Sequence, residues 1–399
     1  MTTNLTNSTN KVPNVPPLRF PEFTGEWERK RIGNDCKILM CKRILSNQTT
    51  EVGDVPFYKI GTIGGEADAY ISNKLFEEYK QKYSYPDAGE VMISCAGTIG
   101  KTIIYDGKPA YYQDSNIVWI SNPKQLYLNS FLRYVLFKVD WRKLNTTTIM
   151  RIYNDNLREL PIVFPSVQEQ QKIVSFLSLI DKRIGTQNKI IQHLESLIKG
   201  IVVTHFNQCR NKQVITISDL GTAYSVGNLS KEDLSEDGEP CILYGELFTT
   251  YGCVAHNIIS RTNKYEQATL SQINDLLFPA STTVDAVSLI APTSIQTHGV
   301  YVAGDMFGIH IQPQYDSQYI SYLLNFVYNR KLAKYAQGST IIHLHYSDIK
   351  RARILVPLLD EQKKCNQLLA TLQKKLAAES LVLQMYQSQK QYLLQQMFI

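Results

Sequence analysis

Three groups of residues in this sequence carry side chains that catalysis could use, and the first is a glycine-rich run. Residues 97–102 read Gly-Thr-Ile-Gly-Lys-Thr and match the last part of the phosphate-binding P-loop pattern. A complete P-loop has another glycine five residues before the glycine that precedes its lysine. Cys95 stands at that position. We therefore interpret the run as a glycine turn that presents Lys101 at the surface, and not as a nucleotide-binding loop.

The second group is acidic and the third is a pair of histidines. Asp87 and Glu90 could begin a metal-dependent nuclease site, but the lysine that such a site needs does not follow them. His343 and His345 could be two metal ligands on one face of a strand, yet no third ligand lies nearby in the sequence. The Asn/Asp-Pro-Pro-aromatic motif of adenine methyltransferases is absent. The sequence thus predicts no catalytic residue, no metal site and no cofactor in this chain.

Composition places the chain among ordinary globular proteins. Of its 399 residues, 44% are hydrophobic and 20% are charged, and the net charge is +6. Residues 211–357 carry a net charge of −3, so a nucleic-acid contact there would need a local patch. The seven cysteines are scattered without a C-x-x-C pair, which favours free thiols. With no signal-peptide pattern and no membrane-length apolar run, we expect a cytoplasmic protein.

The elements that position these residues occur twice. When Pro165 is aligned with Pro357, an offset of 192, the Glu-Gln pair at 169–170 falls on the pair at 361–362. Residues 131–136 similarly resemble 319–324, and residues 56–61 resemble 240–245. A unit of this length is too long for a solenoid repeat, so it is a duplicated domain followed by a helix.

The first part of each repeat is predicted to be mostly β. Short apolar runs broken by turn residues indicate strands. The predicted strands are 55–60, 91–94, 102–105, 117–120, 241–244, 276–278 and 307–311. The best helix candidates within the domains are 126–138 and 317–335.

The second part of each repeat is predicted to be a long helix. Ser166 and Glu169 form an S-x-x-E capping box at the start of the first helix, whereas Leu358 replaces the capping serine in the second. Apolar residues then recur at alternating spacings of four and three, as in a coiled coil. The predicted seam consists of Ile173, Leu177, Ile180, Ile184, Ile191, Leu194 and Ile198 in the first helix and Leu369, Leu372, Leu376, Leu383 and Leu393 in the second.

The expected fold class is α+β. Two similar, mixed but mostly β domains are separated by two long antiparallel coiled-coil helices, with a pseudo-two-fold internal repeat. The expected segments are a flexible tail at 1–16, a first domain at 17–165, a central spacer helix at 166–210, a second domain at 211–357 and a C-terminal spacer helix at 358–399.

The layout resembles a known family. The opening segment 18–27, Leu-Arg-Phe-Pro-Glu-Phe-Thr-Gly-Glu-Trp, and the two Pro-x-x-x-Glu-Gln helix starts are similar to those of specificity subunits of type I restriction-modification systems. The resemblance covers nearly the whole chain. It departs at Leu358, and at Glu379 and Lys390, which are polar seam positions of the second helix.

The resemblance implies a non-catalytic subunit that binds double-stranded DNA. Each target-recognition domain would read one half of a bipartite, asymmetric site, and the helices would set the gap. The helices would also dock two modification subunits, and restriction subunits would join that core. S-adenosylmethionine, ATP and magnesium would belong to those partner subunits.

Base and phosphate contacts need basic and hydrogen-bonding side chains on loops. The candidates in the first domain are Lys42, Arg43, Tyr58, Lys59, Lys101, Arg142, Lys143, Asn145, Thr146 and Arg151. Those in the second domain are Tyr244, Arg261, Lys264, Thr282, Lys331, Lys334, Ser339, Thr340 and His343. Two alternatives stay open at this point: a single-chain restriction-methylation enzyme with an unrecognised catalytic part, and a scaffold whose domains bind protein.

Overall fold

The computed structural model describes residues 14–144, 151–264 and 269–399. The chain divides into two compact units. Unit 1 consists of Met1–Thr186 and Leu383–Ile399, and unit 2 consists of Gln187–Val382. None of the helices in the described ranges combines the length and the apolar character that crossing a membrane demands.

Unit 1 contains short strands, four short helices and parts of two long helices. Its elements in chain order are β1 (Glu28–Arg31), α1 (Ile32–Asp35), β2 (Lys37–Leu39), β3 (Val55–Tyr58), β4 (Tyr70–Ile71), α2 (Asn73–Lys82), β5 (Val91–Ser94), β6 (Thr102–Ile104), β7 (Tyr111–Tyr112), β8 (Ile117–Ser121), α3 (Asn129–Lys138), α4 (Asn154–Glu159), β9 (Pro161–Phe164) and the start of α5 (Val167–Gln208).

The centre of unit 1 is β5, which is buried along its whole length. It lies between β8 and β6 in the antiparallel sheet β2-β8-β5-β6, while β3 pairs antiparallel with β4 and parallel with β7. Val91 and Ile93 pack in one core cluster with Phe131 of α3, and Met92 packs in another with Phe57 of β3. Burial on both faces explains why this strand is a continuous apolar run.

Unit 2 repeats this organisation with more strands. Its elements are β10 (Lys212–Thr216), β11 (Gly221–Ser225), β12 (Leu234–Ser235), β13 (Glu239–Leu243), α6 (Tyr244–Glu246), β14 (Val254–Ala255), β15 (Arg261–Thr262), β16 (Thr269–Leu270), β17 (Asp275–Pro279), β18 (Ser281–Thr282), α7 (Ala286–Leu289), β19 (Thr293–Ile295), β20 (Tyr301–Ala303), β21 (Met306–Ile311), α8 (Ser317–Leu323), α9 (Asn329–Leu332), β22 (Ile342–His343), α10 (Tyr346–Ile349), β23 (Arg353–Pro357) and the start of α11 (Leu359–Gln396).

The strand β17 occupies in unit 2 the place that β5 has in unit 1. It lies in the sheet β11-β21-β17-β19-β14, and a second sheet has the order β12-β15-β13-β20-β16. Leu276 and Phe278 pack in one core cluster, and Leu277 packs in another. The parallel pair β13–β20 corresponds to β3–β7 of unit 1.

Helix α5 begins where the sequence predicts, but its cap differs from a capping box. The Ser166 Oγ accepts a hydrogen bond from the Glu169 backbone N–H at 3.4 Å, as expected. The Glu169 carboxylate does not return to the backbone of Ser166. It accepts hydrogen bonds from the Arg19 guanidinium at 2.7 and 2.8 Å and from the Trp27 indole N–H at 3.3 Å. The opening segment therefore fixes the first turn of the helix.

In each unit, α5 and α11 run antiparallel. Lys390 Nζ lies 2.7 Å from Asp181 Oδ1 in unit 1. In unit 2 the Gln187 amide donates to the Glu379 backbone carbonyl at 2.9 Å and also to its carboxylate. Gln187 and Glu379 are separated by the repeat offset of 192 and are therefore equivalent positions of the two repeats. These two polar seam positions bond to each other. The polar residues that interrupt the seam thus have partners.

The seam is buried towards the ends of the helices and half-buried in the middle. The buried members other than Leu194 belong to the domain core clusters, and the half-buried Ile184, Leu372 and Leu376 pack against the edges of the same clusters. Buried members are Ile173, Leu177, Ile180, Leu194, Ile198, Leu369 and Leu393, and half-buried members are Ile184, Ile191, Leu372, Leu376 and Leu383.

Two predicted helices differ from the observed elements. Helix α3 begins at Asn129 and not at residue 126, because the Gln170 side chain bonds the Leu126 carbonyl and the Leu128 N–H at 3.0 and 2.8 Å. The predicted helix 317–335 is divided into α8, a π-helical segment Leu324–Tyr328, α9 and a 3-10 turn. The predicted strands are present, with ends that shift by one or two residues.

Candidate nucleic-acid interface

The glycine-rich run of unit 1 forms a tight turn after β5. Gly97 and Gly100 have φ of 63° and 79°, the left-handed region that favours glycine. A Cβ on Gly100 would lie 2.2 Å from the ring of Trp141. The Thr98 hydroxyl donates to the Ile60 carbonyl at 2.9 Å, which joins this turn to the loop that follows β3.

A second segment, residues 113–116, completes the same surface. The Gln113 N–H donates to the Tyr58 carbonyl at 2.9 Å, and the Cys95 N–H donates to the Asn116 carbonyl at 2.7 Å. The Arg43 side chain pairs with Asp114 at 2.8 Å.

Arg151 attaches to this segment as well, since its guanidinium donates to the Ser115 carbonyl at 3.1 Å. The structure therefore brings Arg43, Lys59, Lys101 and Arg151 onto neighbouring segments. We call these four residues with the segments 97–100 and 113–116 loop surface 1.

The cations of loop surface 1 differ in whether they already pair with a carboxylate. Arg43 pairs with Asp114, and Lys59 lies 3.1 Å from Asp68. Lys101 is exposed and has no ion-pair partner among the described residues. Lys101 is thus the cation of this surface most available to a phosphate.

The other first-domain candidates surround this surface or lie outside the description. Tyr58 stacks on Tyr112 with ring centroids 5.7 Å apart, and Lys42 lies over the Tyr83 ring at 5.3 Å. Lys143 is exposed and lies 3.9 Å from Asp140. Asn145 and Thr146 and the side chain of Arg142 lie outside the described residues.

Unit 2 assembles an equivalent surface from different side chains. Strand β18 pairs with β22, so that Ser281 faces His343 and Thr282 faces Ile342. The Leu344 N–H donates to the Ala280 carbonyl at 2.8 Å.

Three further candidates join this pair of strands. The Ala280 N–H donates to the Asp305 carbonyl at 2.8 Å, and the neighbouring Gly304 packs against the ring of Tyr244. Ser339 and Thr340 are exposed in the loop that leads into β22. We call Tyr244, Thr282, Ser339, Thr340 and His343 loop surface 2.

Two basic candidates of the second domain, Arg261 and Lys264, do not join loop surface 2. Arg261 lies on β15, which pairs with the first residues of β13, at the end opposite Tyr244, and its side chain donates to the Gly238 carbonyl at 2.8 Å. Lys264 lies 3.0 Å from Asp233. Backbone and Lys264 hydrogen bonds hold the pKa of Asp233 at about 2.

The other two basic candidates lie in the helical segment that leads to Gln337, whose backbone exchanges hydrogen bonds with His343 at 2.7 and 2.8 Å. This segment therefore adjoins loop surface 2. Lys331 donates to the Arg353 carbonyl at 3.1 Å, and Lys334 lies over the Tyr335 ring at 5.2 Å. The residues of loop surface 2 themselves carry hydroxyl and imidazole groups.

The candidate interface also contains residues that sequence reasoning missed. Gln113, Asp114 and Ser115 gain their place only because β7 pairs parallel with β3, a pairing that no short sequence pattern reveals. Ser115 has φ of 52°, an unusual value for a residue other than glycine. Tyr153 is exposed beside Arg151, with the guanidinium 5.9 Å from its ring.

Cys95, just before the glycine-rich run, and Glu90 of the acidic group are both buried within unit 1. Cys95 is fully buried, and burial raises the pKa of its thiol to about 12. Glu90 accepts a hydrogen bond from the Asp87 N–H at 2.9 Å, and burial raises its pKa.

The two histidines do not lie on one strand, the arrangement considered above for a pair of metal ligands. Strand β22 ends at His343, and His345 precedes α10, although their rings stack with centroids 6.2 Å apart. Within residues 14–144, 151–264 and 269–399, His, Cys, Asp and Glu side chains do not gather in threes as metal ligands would.

Comparisons with known proteins agree with this geometry. Residues 24–196 and 210–382 each match the family model described as the type I restriction modification DNA specificity domain. A protein of Haemophilus influenzae, assigned by inference as a type I restriction enzyme specificity subunit, is 51% identical over 168 residues, which are 42% of this chain and 43% of that protein. The match thus spans less than half of that relative's length.

A longer but weaker match extends over most of the chain. A Methanocaldococcus jannaschii protein, assigned by inference as a type I restriction enzyme specificity subunit, is 22% identical over 387 residues, 88% of each chain. The crystal structure of the S subunit of a type I restriction-modification system from M. genitalium covers 96% of this chain and 99% of its own, with a TM-score of 0.54 and 15% identity, which supports the fold. Because the family model matches both halves, the chain belongs to the specificity subunits of type I restriction-modification systems and carries the DNA specificity domain twice.

Proposed function

We propose that this chain reads a bipartite, asymmetric DNA site for a type I restriction-modification complex. Loop surface 1 reads one half and loop surface 2 reads the other. In both units, the loop after the central buried strand (β5 or β17) lies beside the residues that follow a parallel strand pair. This shared arrangement is the observation that carries the proposal. Two equivalent loop clusters with different side chains suit two different half-sites.

The two surfaces would read DNA by different balances of forces. Loop surface 1 offers Lys101 and Arg151 to phosphates and base edges, a contribution that salt weakens through counterion release. Loop surface 2 offers hydroxyl groups and His343 in a segment whose net charge is negative. Its contacts therefore depend on hydrogen bonds to bases, which specify sequence more than they add affinity.

The helices offer a surface for partner subunits. In unit 1, Leu179, Met385 and Tyr392 of the long helices and Phe137 of the adjoining α3 are between 57 and 63% exposed. In unit 2, Leu368 and Leu381 of α11 are similarly exposed. Large apolar side chains exposed along helices are typical of protein interfaces. We infer that the two modification subunits dock here, so that each unit receives one copy.

Catalysis belongs to those partners in this proposal. S-adenosylmethionine would bind the modification subunits, and ATP and magnesium would serve the restriction subunits in the cytoplasm. Purified chain incubated with labelled S-adenosylmethionine and DNA is expected to transfer no label. Label transferred by this chain alone would instead favour the single-chain enzyme.

Domain exchange tests the division of the site. Residues 17–165 are replaced with the corresponding domain of another specificity subunit, and the complex is expressed with its modification subunits. Methylome sequencing should show one altered half-site and one unchanged half-site, because each unit has its own core clusters and its own loop surface. If both halves change together, the two-reader proposal is wrong. The reciprocal exchange of residues 211–357 is the matched control and should alter only the other half.

A further inference from the structure

Unit 2 contains a cavity of about 690 Å³ between α5, α11 and the segment that follows α6. Its walls include Lys199 of α5, Gln373 of α11 and Tyr251. This volume lies in the range of sites that hold small molecules or cofactors. The loop surfaces do not include these residues, so DNA reading leaves the cavity unexplained.

The repeat shows how unit 1 fills the corresponding place. Lys390, which is equivalent to Ile198, extends between the helices and lies 2.7 Å from Asp181. The Tyr134 hydroxyl donates to the same carboxylate at 2.7 Å, and the Lys390 ammonium lies 4.8 Å from the Phe137 ring centroid. An ion pair with aromatic neighbours thus occupies this position in unit 1.

Unit 2 has lost both charges of that pair. The lysine is replaced by Ile198, which is shorter, and the aspartate by Gln373, whose amide donates to the Tyr322 hydroxyl. Phe137 is replaced by Asn325, whose amide turns to the carbonyls of Pro292 and Ser321, both at 2.9 Å. The side chains that close the site in unit 1 therefore leave open space in unit 2.

Widened helical turns form two walls of the cavity. Leu247–Tyr251 and Leu324–Tyr328 are the π-helical segments of the described part of the chain, and both line the cavity. They bring Phe248, Tyr251 and Phe326 to its wall. Such turns are rare and occur often at functional sites. A binding site is thus indicated by a feature independent of the repeat comparison.

The lining combines flat apolar groups with a similar number of polar residues, which include Glu195 and His256. Aromatic side chains can stack on a planar ring, and the Gln373 Oε1 accepts no hydrogen bond from the described residues. Thr249, Thr250, Ser380 and Lys199 also line the cavity. The Thr249 and Ser380 hydroxyls donate to backbone carbonyls one helical turn earlier, at 3.0 and 2.8 Å, so each can still accept a hydrogen bond. Burial raises the pKa of the Cys253 thiol to about 12, so this group is a neutral wall and not a nucleophile.

We propose that this cavity binds a purine nucleotide. The base lies among the aromatic side chains with its edge at Gln373, since glutamine can bond both N6 and N7 of adenine. The threonine and serine hydroxyls serve the ribose, and Lys199 serves the phosphates at the mouth. The proposal concerns unit 2 alone and does not depend on which DNA sequence the chain reads.

Equilibrium dialysis of the purified full chain, without partner subunits, tests the proposal with ATP, adenosine and CTP as probes. ATP and adenosine should bind, and CTP should bind about tenfold or more weakly, because a pyrimidine offers less stacking area and no N7 acceptor. The absence of ATP and adenosine binding at millimolar concentration would overturn the proposal.

The ion pair of unit 1 suggests a variant that should block the cavity of unit 2. The double substitution I198K/Q373D transfers the ion pair of unit 1 into unit 2 and should reduce ATP binding by about tenfold or more, because its lysine occupies the space of the base. Unchanged ATP binding by a folded double variant would contradict the site. Thermal unfolding verifies that the variant is folded.

Lys199→Glu keeps the proposal testable if the double variant does not fold, since Lys199 is exposed. It should weaken ATP but leave adenosine binding unchanged. Equal weakening of both ligands would contradict the assigned role of Lys199. If no nucleotide binds and the double variant instead loses its modification subunits, the cavity receives a partner side chain and the nucleotide proposal is wrong.

Discussion

At the scale of single residues, the charge on loop surface 1 is unevenly available. Arg43 and Lys59 already have carboxylate partners, whereas Lys101 stands on a turn fixed by two glycines and has no such partner among the described residues. An exposed pair retains part of its interaction when DNA approaches, so its cation gains less from a phosphate. Lys101 should therefore contribute more to DNA affinity than its neighbours.

Lys101→Ala is expected to weaken DNA binding nearly uniformly across sequences. The slope of log K against log salt should fall in magnitude by about 0.9, the value for one lost phosphate contact. Titration of labelled DNA at several salt concentrations measures it. Lys74→Ala is the matched control, since Lys74 is also an exposed lysine but lies on α2, outside loop surface 1. It should leave the slope unchanged. Equal slopes for the two variants would remove Lys101 from the interface.

A second residue-scale prediction concerns the Glu169 carboxylate. Only 2% of its side chain is exposed, and its partner Arg19 is 13% exposed. Glu169→Ala removes the carboxylate partner of the Arg19 guanidinium, which keeps only backbone carbonyls of the opening segment as acceptors. It also leaves the Trp27 indole N–H without its acceptor, and should reduce the free energy of unfolding by about 3 kcal/mol. Urea denaturation measures the change.

Glu361→Ala is the control for Glu169 because the repeat makes the two positions equivalent. Glu361 pairs with Lys364 on the helix surface at 2.6 Å, where solvent screens the interaction. Its removal should change stability far less. A similar decrease in the free energy of unfolding for both variants would mean that the contact between the opening segment and α5 stabilises the protein no more than a surface ion pair does.

At the scale of elements, the long helices depend on each other most in their middle. Ile184 and Leu383 are only half-buried, whereas Leu177 and Leu369 are fully buried in domain cores. The middle turns therefore have less contact with the domain cores than the helix ends, and depend more on helix hydrogen bonds and on the partner helix. Damage there should affect helix pairing before it affects the domain cores.

Ile184→Pro removes a backbone hydrogen bond and clashes with the preceding turn, at a cost of about 3 kcal/mol or more. Co-purification with the modification subunits should fail, while the β-rich parts of both units keep their cooperative unfolding. Ile184→Ala retains the helix and serves as the control, with assembly preserved. Normal stoichiometry in the proline variant would show that docking does not need a continuous α5.

At the scale of the whole molecule, the contact between Gln187 and Glu379 provides a place to lengthen both helices together. Four residues inserted after Gln187 and four after Glu379 keep the seam nearly in phase, since an α-helix has 3.6 residues per turn. If the helices set the gap between half-sites, each gains roughly 6 Å, and the gap should grow by about one or two base pairs.

Methylome sequencing of this insertion variant measures the gap and both half-sites. The half-site sequences should stay unchanged, because the insertions leave every residue of the two loop surfaces in place. Insertion of four residues after Gln187 alone is the control and should assemble less well, because only one helix is lengthened. An active double insertion with an unaltered gap would mean that the helices do not determine the spacing.

The sequence by itself determined the duplication, the family and the long helices. These features follow from local periodicity and from motifs within a few residues, such as the apolar spacing from Ile173 to Ile198, which depend little on distant parts of the chain. The strands were also predictable, because burial on both faces makes β5 and β17 continuous apolar runs. Even the helix start at Ser166 was predictable, although the partner of Glu169 was not.

The tertiary structure alone decided which candidates form a surface and which do not. Parallel pairing of β3 with β7 brings Gln113 and Ser115 beside the turn that carries Lys101, and no local pattern encodes that pairing. From the sequence, Lys264 was as good a candidate for DNA contact as Lys101. In the structure it pairs with Asp233, away from loop surface 2. The cavity beside Gln373 was likewise invisible, because it arises where Ile198 replaces a lysine that fills the equivalent space. Contacts between residues far apart in sequence depend on packing, and packing is what a single sequence does not display.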